Sequence, residues 1–62
     1  MTDLEVMKNF YTDDYNFESE HRPKIASKER SAKNTIDFYL YTIDLHLIIA
    51  FTNWALEQEV AE

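Results

Sequence analysis

From Ile36 to Trp54, apolar residues return at alternating steps of four and three: Ile36, Leu40, Ile43, Leu47, Ala50 and Trp54. This is the period of a coiled-coil seam, and it predicts one face of a long helix. Continued in the same register, the pattern meets Glu57 and Ala61, so its apolar part ends at Trp54. A second set, Phe38, Tyr41, Leu45, Ile48 and Ala55, keeps the same alternation, interrupted by Thr52 and widened by Ile49 and Leu56. At about 100° per residue the two stripes fall on different sides of one helix. Polar lines separate them, one of Asp37 and Asp44, the other of Thr42, His46, Asn53 and Glu57. A helix that is apolar on two faces is buried on two faces.

Ahead of this segment, Thr2-Asp3-Leu4-Glu5 has the form of a capping box, with Glu5 three residues after Thr2. Leu4, Met7 and Tyr11, flanked by Val6 and Phe10, then follow helical spacing and predict a short helix over 3–12. Residues 13–22 read as an acidic loop: Asp13-Asp14 suits a turn, and Tyr15 and Phe17 would pin the loop to the long helix. Arg22 precedes Pro23, which disfavours helix at Arg22 and lets one start at Pro23. From Lys24 onward no residue forbids helix, and Ala, Lys, Glu and Arg favour it. The expectation is one long helix over 23–61. A break near 31–34 is the alternative, with Ser27, Ser31, Asn34 or Thr35 available as N-caps.

Glycine is absent and Pro23 is the only proline, so tight hairpins and phosphate-cradling loops have no residues to build them. The fold class implied is all-α: a single helical domain over 1–62, forming a helical dimer or bundle. Sixty-two residues bury only about 60% of their unfolded surface, so such a chain needs a staple. There is no cysteine for a disulfide, and His21 and His46 are too few for a zinc cluster. Self-association is what remains. The N-terminal segment can cover one stripe, assigned to Phe38, Tyr41, Leu45 and Ile48. The seam Ile36, Leu40, Ile43, Leu47, Ala50 and Trp54 is then left for a two-fold contact with a second copy. Tyr39 and Phe51 lie off both stripes, which makes them the aromatic residues best placed to meet an outside protein.

The net charge of −6 is distributed in blocks. Asp3, Glu5, Asp13, Asp14, Glu18 and Glu20 precede a basic middle of Arg22, Lys24, Lys28, Arg30 and Lys33, and Asp37, Asp44, Glu57, Glu59 and Glu62 follow it. The five bases either pair with acids inside the assembly or form a phosphate-binding patch. The negative overall field repels nucleic acid and favours the internal reading. The segment Asp13, Asp14, Tyr15, Phe17, Glu18 and Glu20 is the candidate partner-binding surface. Its density of acids is what a DNA mimic offers to a basic groove.

Nothing assembles into a reaction centre. Asp44 and His46 are two apart and point to different helix faces, while Thr42 and His46 are four apart and suit a surface hydrogen bond. Asp37 and Asp44 lack further ligands for a metal, and no nucleophile, base and orienting group can be grouped. The chain is therefore read as non-enzymatic, without metal or cofactor. Its longest stretch free of charge and histidine, Leu47–Leu56, falls short of the ~20 residues of a membrane span. The N-terminus lacks the pattern of a signal peptide, which suggests a soluble cytoplasmic protein, in the host cytoplasm if viral. Size and composition resemble those of small inhibitors from phages and mobile elements. The expected function is that of an oligomeric inhibitor or modulator acting on a larger protein with a basic surface. The alternative is a small nucleic-acid-binding regulatory dimer that uses residues 22–33.

Overall fold

A computed structural model describes residues 2–39 and 44–58. Among the described residues the chain is all-helical, with α1 over Asp3–Glu18, α2 over Lys24–Tyr39 and α3 over Leu45–Glu57. The all-α expectation holds, but its division into one short and one long helix does not. Three helices of similar length replace it.

α1 starts as its first residues dictate. The Thr2 hydroxyl accepts from the Glu5 backbone N–H at 3.2 Å, and the Glu5 carboxylate accepts from the Thr2 backbone N–H at 3.1 Å. Two amide donors left free at a helix start are thereby satisfied reciprocally. The helix then runs through the expected loop to Glu18. Asp and Asn are poor helix formers in isolation, but side chains on this stretch gain tertiary partners that outweigh propensity. Tyr15 stacks on Tyr11 one turn earlier, with ring centroids 6.1 Å apart, and Asp14 and Glu18 reach polar groups of α2. A turn follows in which the Glu18 carbonyl accepts from the N–H groups of His21 and Arg22. Pro23 then ends it, its carbonyl accepting from Ser27 N–H at 2.9 Å to open α2.

α2 turns a polar face inward. Ser27, Ser31, Thr35 and Tyr39, four residues apart, are its buried positions. Small hydroxyl residues at such a spacing let a neighbouring helix approach, provided each hydroxyl finds an acceptor. Ser27 Oγ donates to the Pro23 carbonyl at 2.9 Å and Thr35 Oγ1 to the Ser31 carbonyl at 2.7 Å. The hydroxyl of Ser31 is buried with no partner among the described residues. None of Ser27, Ser31 or Thr35 is an N-cap, and the chain does not break at 31–34.

α2 runs on to Tyr39, and α3 begins at Leu45. Asp44 is the N-cap of α3: its carboxylate accepts from Leu47 N–H at 3.0 Å and its carbonyl from Ile48 N–H at 3.1 Å. α3 closes at Gln58, whose side-chain amide donates to the Trp54 carbonyl at 3.1 Å. Lys28 of α2 donates to the Gln58 carbonyl, a cation at the negative end of α3. α3 thus folds back along α2 toward the first turns of that helix.

The core joins all three helices: Met7 and Tyr11 from α1, Tyr39 from α2, Phe51 and Ala55 from α3. Leu4, Val6, Tyr15, Ala32, Ile36, Leu47, Ile48 and Trp54 pack around it. The expected single seam is therefore divided. Ile36 lies on α2 and Leu47, Ala50 and Trp54 on α3, while Leu40 and Ile43 lie outside the described residues. Ile36, Leu47 and Trp54 spend their apolar surface within the chain, because turning back brings them onto a core that one straight helix would lack. Of the second stripe, Phe38 meets the N-terminal segment by stacking on Phe10 at 5.1 Å, and Ile48 packs on the core. Leu45 is exposed, and Tyr41 lies outside the described residues.

Candidate interaction surfaces

The basic middle of the chain is mostly spent on internal contacts. Glu18 is buried, and its carboxylate accepts from Arg30 Nε at 2.9 Å on one oxygen and Arg22 Nε at 3.3 Å on the other. One turn earlier, Asp14 accepts from the Asn34 amide at 3.0 Å. Lys33 pairs with Asp37 at 2.7 Å along α2, and Lys28 holds the end of α3. Lys24 is exposed, with no side-chain partner among the described residues. Both arginines at Glu18 are about half-exposed, so solvent screens the two pairs and each contributes no more than about 1 kcal/mol. Their main effect is positional. They fix the α1–α2 turn, and they leave few of the five bases unengaged.

The acidic, aromatic segment divides between two sides of α1. Asp14, Tyr15 and Glu18 face the interior of the bundle, where their partners lie. Asp13, Phe17 and Glu20 are exposed, Phe17 one turn after Asp13 on α1 and Glu20 in the turn that follows the helix. Phe17 is 60% exposed and touched edge-on by the His21 ring at 5.3 Å. An exposed phenyl ring in a segment with exposed carboxylates before and after it is the unusual feature of this end of α1. Near the start of α1, hydrogen bonds from the Thr2 backbone N–H, and then from its hydroxyl, hold the Glu5 carboxyl below its ordinary value.

Tyr15, Phe51 and Trp54 gather around Tyr11 in an aromatic cluster. The Tyr11 ring meets Phe51 at 6.0 Å and Trp54 at 5.3 Å, both edge-to-face. Lys8 Nζ covers Trp54 at 5.5 Å from the ring centroid. Tyr39 and Phe51 are buried in this core rather than presented to a partner, which corrects their reading as outward contacts. They lie off the stripes of a straight helix, but once the chain folds back Phe51 and Ala55 become the inner line of α3.

Between α2 and α3 runs an open groove of about 370 Å³, walled by Ile25, Ala32 and Ile36 on one side and Thr52, Ala55 and Leu56 on the other, with Phe51 at its floor. Lys28 and Glu29 stand at its α2 edge. A second, shallower depression of about 320 Å³ lies among Arg22, Ala26, Glu29, Arg30 and Lys33. His46 is exposed at the start of α3, and Asp44 beside it is engaged in capping. Among the described residues, no three of His, Cys, Asp and Glu are grouped so as to hold a metal ion, and no helix is long and apolar enough to cross a membrane. Sequence reading did not find the groove, because it exists only when α2 and α3 lie side by side. Compared with protein-family models, curated proteins and solved structures, the chain matches none.

Proposed function

We propose that this chain is a non-enzymatic binding protein that docks on a larger protein with a basic surface and modulates it. The observation that carries this reading is Phe17, 60% exposed near the end of α1, with the exposed acids Asp13 and Glu20 on either side of it in sequence. A ring of this size gains by burial in a partner's pocket, and carboxylates near it steer and orient a basic surface toward it. The net charge of −6 adds long-range attraction for such a partner. The nucleic-acid reading has less support, since Arg22, Arg30, Lys33 and Lys28 already hold groups of this chain.

The test is affinity capture from the cells that make the protein. Wild type is compared with the triple variant Asp13→Lys, Phe17→Ser, Glu20→Lys, and circular dichroism checks that both fold. A partner retained by wild type at low salt, released by salt and lost in the variant is the expected result. Capture of the same proteins by both chains would sink the proposal.

A further inference from the structure

We infer that the outer face of α3 is a self-association surface, on which a second copy of this chain packs through its own α3, antiparallel about a two-fold axis. Leu45, Ile49 and Leu56 are 68%, 57% and 72% exposed, and with half-buried Thr52 they form one line along the helix. It is a different line from the divided seam, about a quarter-turn around α3 from Phe51 and Ala55, and its Thr52 and Leu56 also border the groove against α2. Its steps are four, three and four, so the spacing reads the same in both directions. A two-fold axis between Ile49 and Thr52 therefore sets Leu45 against the partner's Leu56 and Ile49 against the partner's Thr52. That is the self-complementarity a closed, isologous contact requires.

The other occupants fit the surface less well. The line carries no charged group, and Glu57 is the only acid within α3, which has no Lys or Arg. A helix that lies on a membrane surface needs basic residues flanking its apolar face, and α3 supplies none. Among the described residues, a phosphate-bearing ligand would find only Lys28 nearby, already held by the Gln58 carbonyl. A copy of α3 brings an equally uncharged line, so the contact incurs no desolvation of charge along its length.

The available area sets the strength of the contact. The three exposed side chains, with Ile25 at the adjoining groove wall, leave on the order of 250 Å² of apolar side-chain surface per protomer. Doubled by the two-fold axis, this is on the order of 500 Å² of apolar contact, the scale of a weak, transient association. The dimer is thus expected to dissociate in the micromolar range. This surface is separate from Phe17 on α1, so it stands or falls independently of the proposed target.

The experiment is sedimentation velocity on the full chain from about 5 to 500 µM, which brackets a micromolar dissociation constant. Wild type should move from the 7.4 kDa monomer toward twice that mass as concentration rises. Ile49→Lys should remain monomeric throughout with unchanged helical ellipticity. Should that variant fail to fold, Leu56→Lys, at the most exposed of these positions, serves in its place. Phe17→Ser, on α1, should dimerise like wild type. Mixed Leu45→Cys and Leu56→Cys chains should cross-link to each other more readily than either does alone. A wild type that stays monomeric at the highest concentration overturns the inference. So does a dimer that survives a folded Ile49→Lys or Leu56→Lys variant, or cysteines that link like to like.

Discussion

Tyr11 of α1 and Trp54 of α3 meet edge-to-face, ring planes 84° apart and centroids separated by 5.3 Å, a contact that helps to fasten the first helix to the last. Tyr11 also touches Phe51 and Tyr15, and Lys8 covers the Trp54 ring. Replacing Tyr11 by alanine removes the shared member of several ring pairs at a buried site. Truncations of this kind cost about 3–5 kcal/mol. A domain of this length holds roughly 3–9 kcal/mol in total, at about 0.05–0.15 kcal/mol per residue. The Tyr11→Ala chain should therefore lose most of its cooperative unfolding transition at 25 °C. Trp54, the only tryptophan, reports it directly: its emission should shift to the red under native conditions. Wild-type emission from the variant would show that the ring cluster is not what holds α1 in place.

A gentler change at the same residue tests its ionisation. Burial, with the neighbouring Tyr15 adding to it, raises the Tyr11 hydroxyl above its ordinary value of about 10. A group whose folded value is raised contributes stability that is fully present below the unfolded value and is lost as pH rises through the folded one. Wild type should therefore weaken from about pH 10 upward, as Tyr11 is pulled toward the ionised, unfolded form. Tyr11→Phe keeps the ring and removes the titrating group. Its urea midpoint should fall less steeply than wild type over this interval, and parallel curves would assign the alkaline loss to other groups.

Ser31 offers a stabilising substitution. Its hydroxyl is wholly buried between those of Ser27 and Thr35, which bond to carbonyls, yet it has no partner among the described residues. An unpaired buried polar group costs about 1–3 kcal/mol, and alanine is also the better helix former. Ser31→Ala should raise the melting temperature by roughly 4–8 °C for each kcal/mol recovered. Thr35→Ala, which deletes a made hydrogen bond and a buried methyl group, should lower it. A calorimeter distinguishes the two signs without reference to mechanism.

Local chemistry in the sequence carries the helix starts better than the chain reversal. Thr2 and Glu5 name their own cap, and Arg22-Pro23 marks the start of α2, because such signals act over a few bonds. The apolar spacing from Ile36 to Trp54 is indifferent to whether the chain is straight, since residues in one register can line a seam or the inner faces of a hairpin. Asp44 carried the missing information: an N-cap residue directly before the largely apolar segment Leu45–Ala50 is a start signal, although it also falls on a polar line of a straight helix. The helical state of 13–18 was hidden for a different reason. It depends on Asn34 and Arg30, distant in sequence, donating to the carboxylates of Asp14 and Glu18. The same long-range pairing divides the acidic segment into an inner and an outer side.

Asp44 therefore invites the decisive substitution for the fold. Asp44→Ala removes the acceptor for Leu47 N–H and the negative charge at the positive end of α3. Loss of such a cap costs typically about 1 kcal/mol, which for a domain of this size lowers the melting temperature by roughly 4–8 °C. Asp44→Asn retains the acceptor and should recover most of that loss. Neither variant should increase ellipticity at 222 nm, because packing of Phe51 and Ala55 against α1 and α2 favours the reversal whether or not the cap is present. A rise in ellipticity in Asp44→Ala, with a doubled sedimenting mass lost in Leu47→Ser, would mean that the divided stripe prefers to join as one straight helix. The cap alone would then be holding the hairpin closed. If the variant merely melts earlier at unchanged ellipticity, inner-face packing directs the chain back on itself and Asp44 only trims the turn.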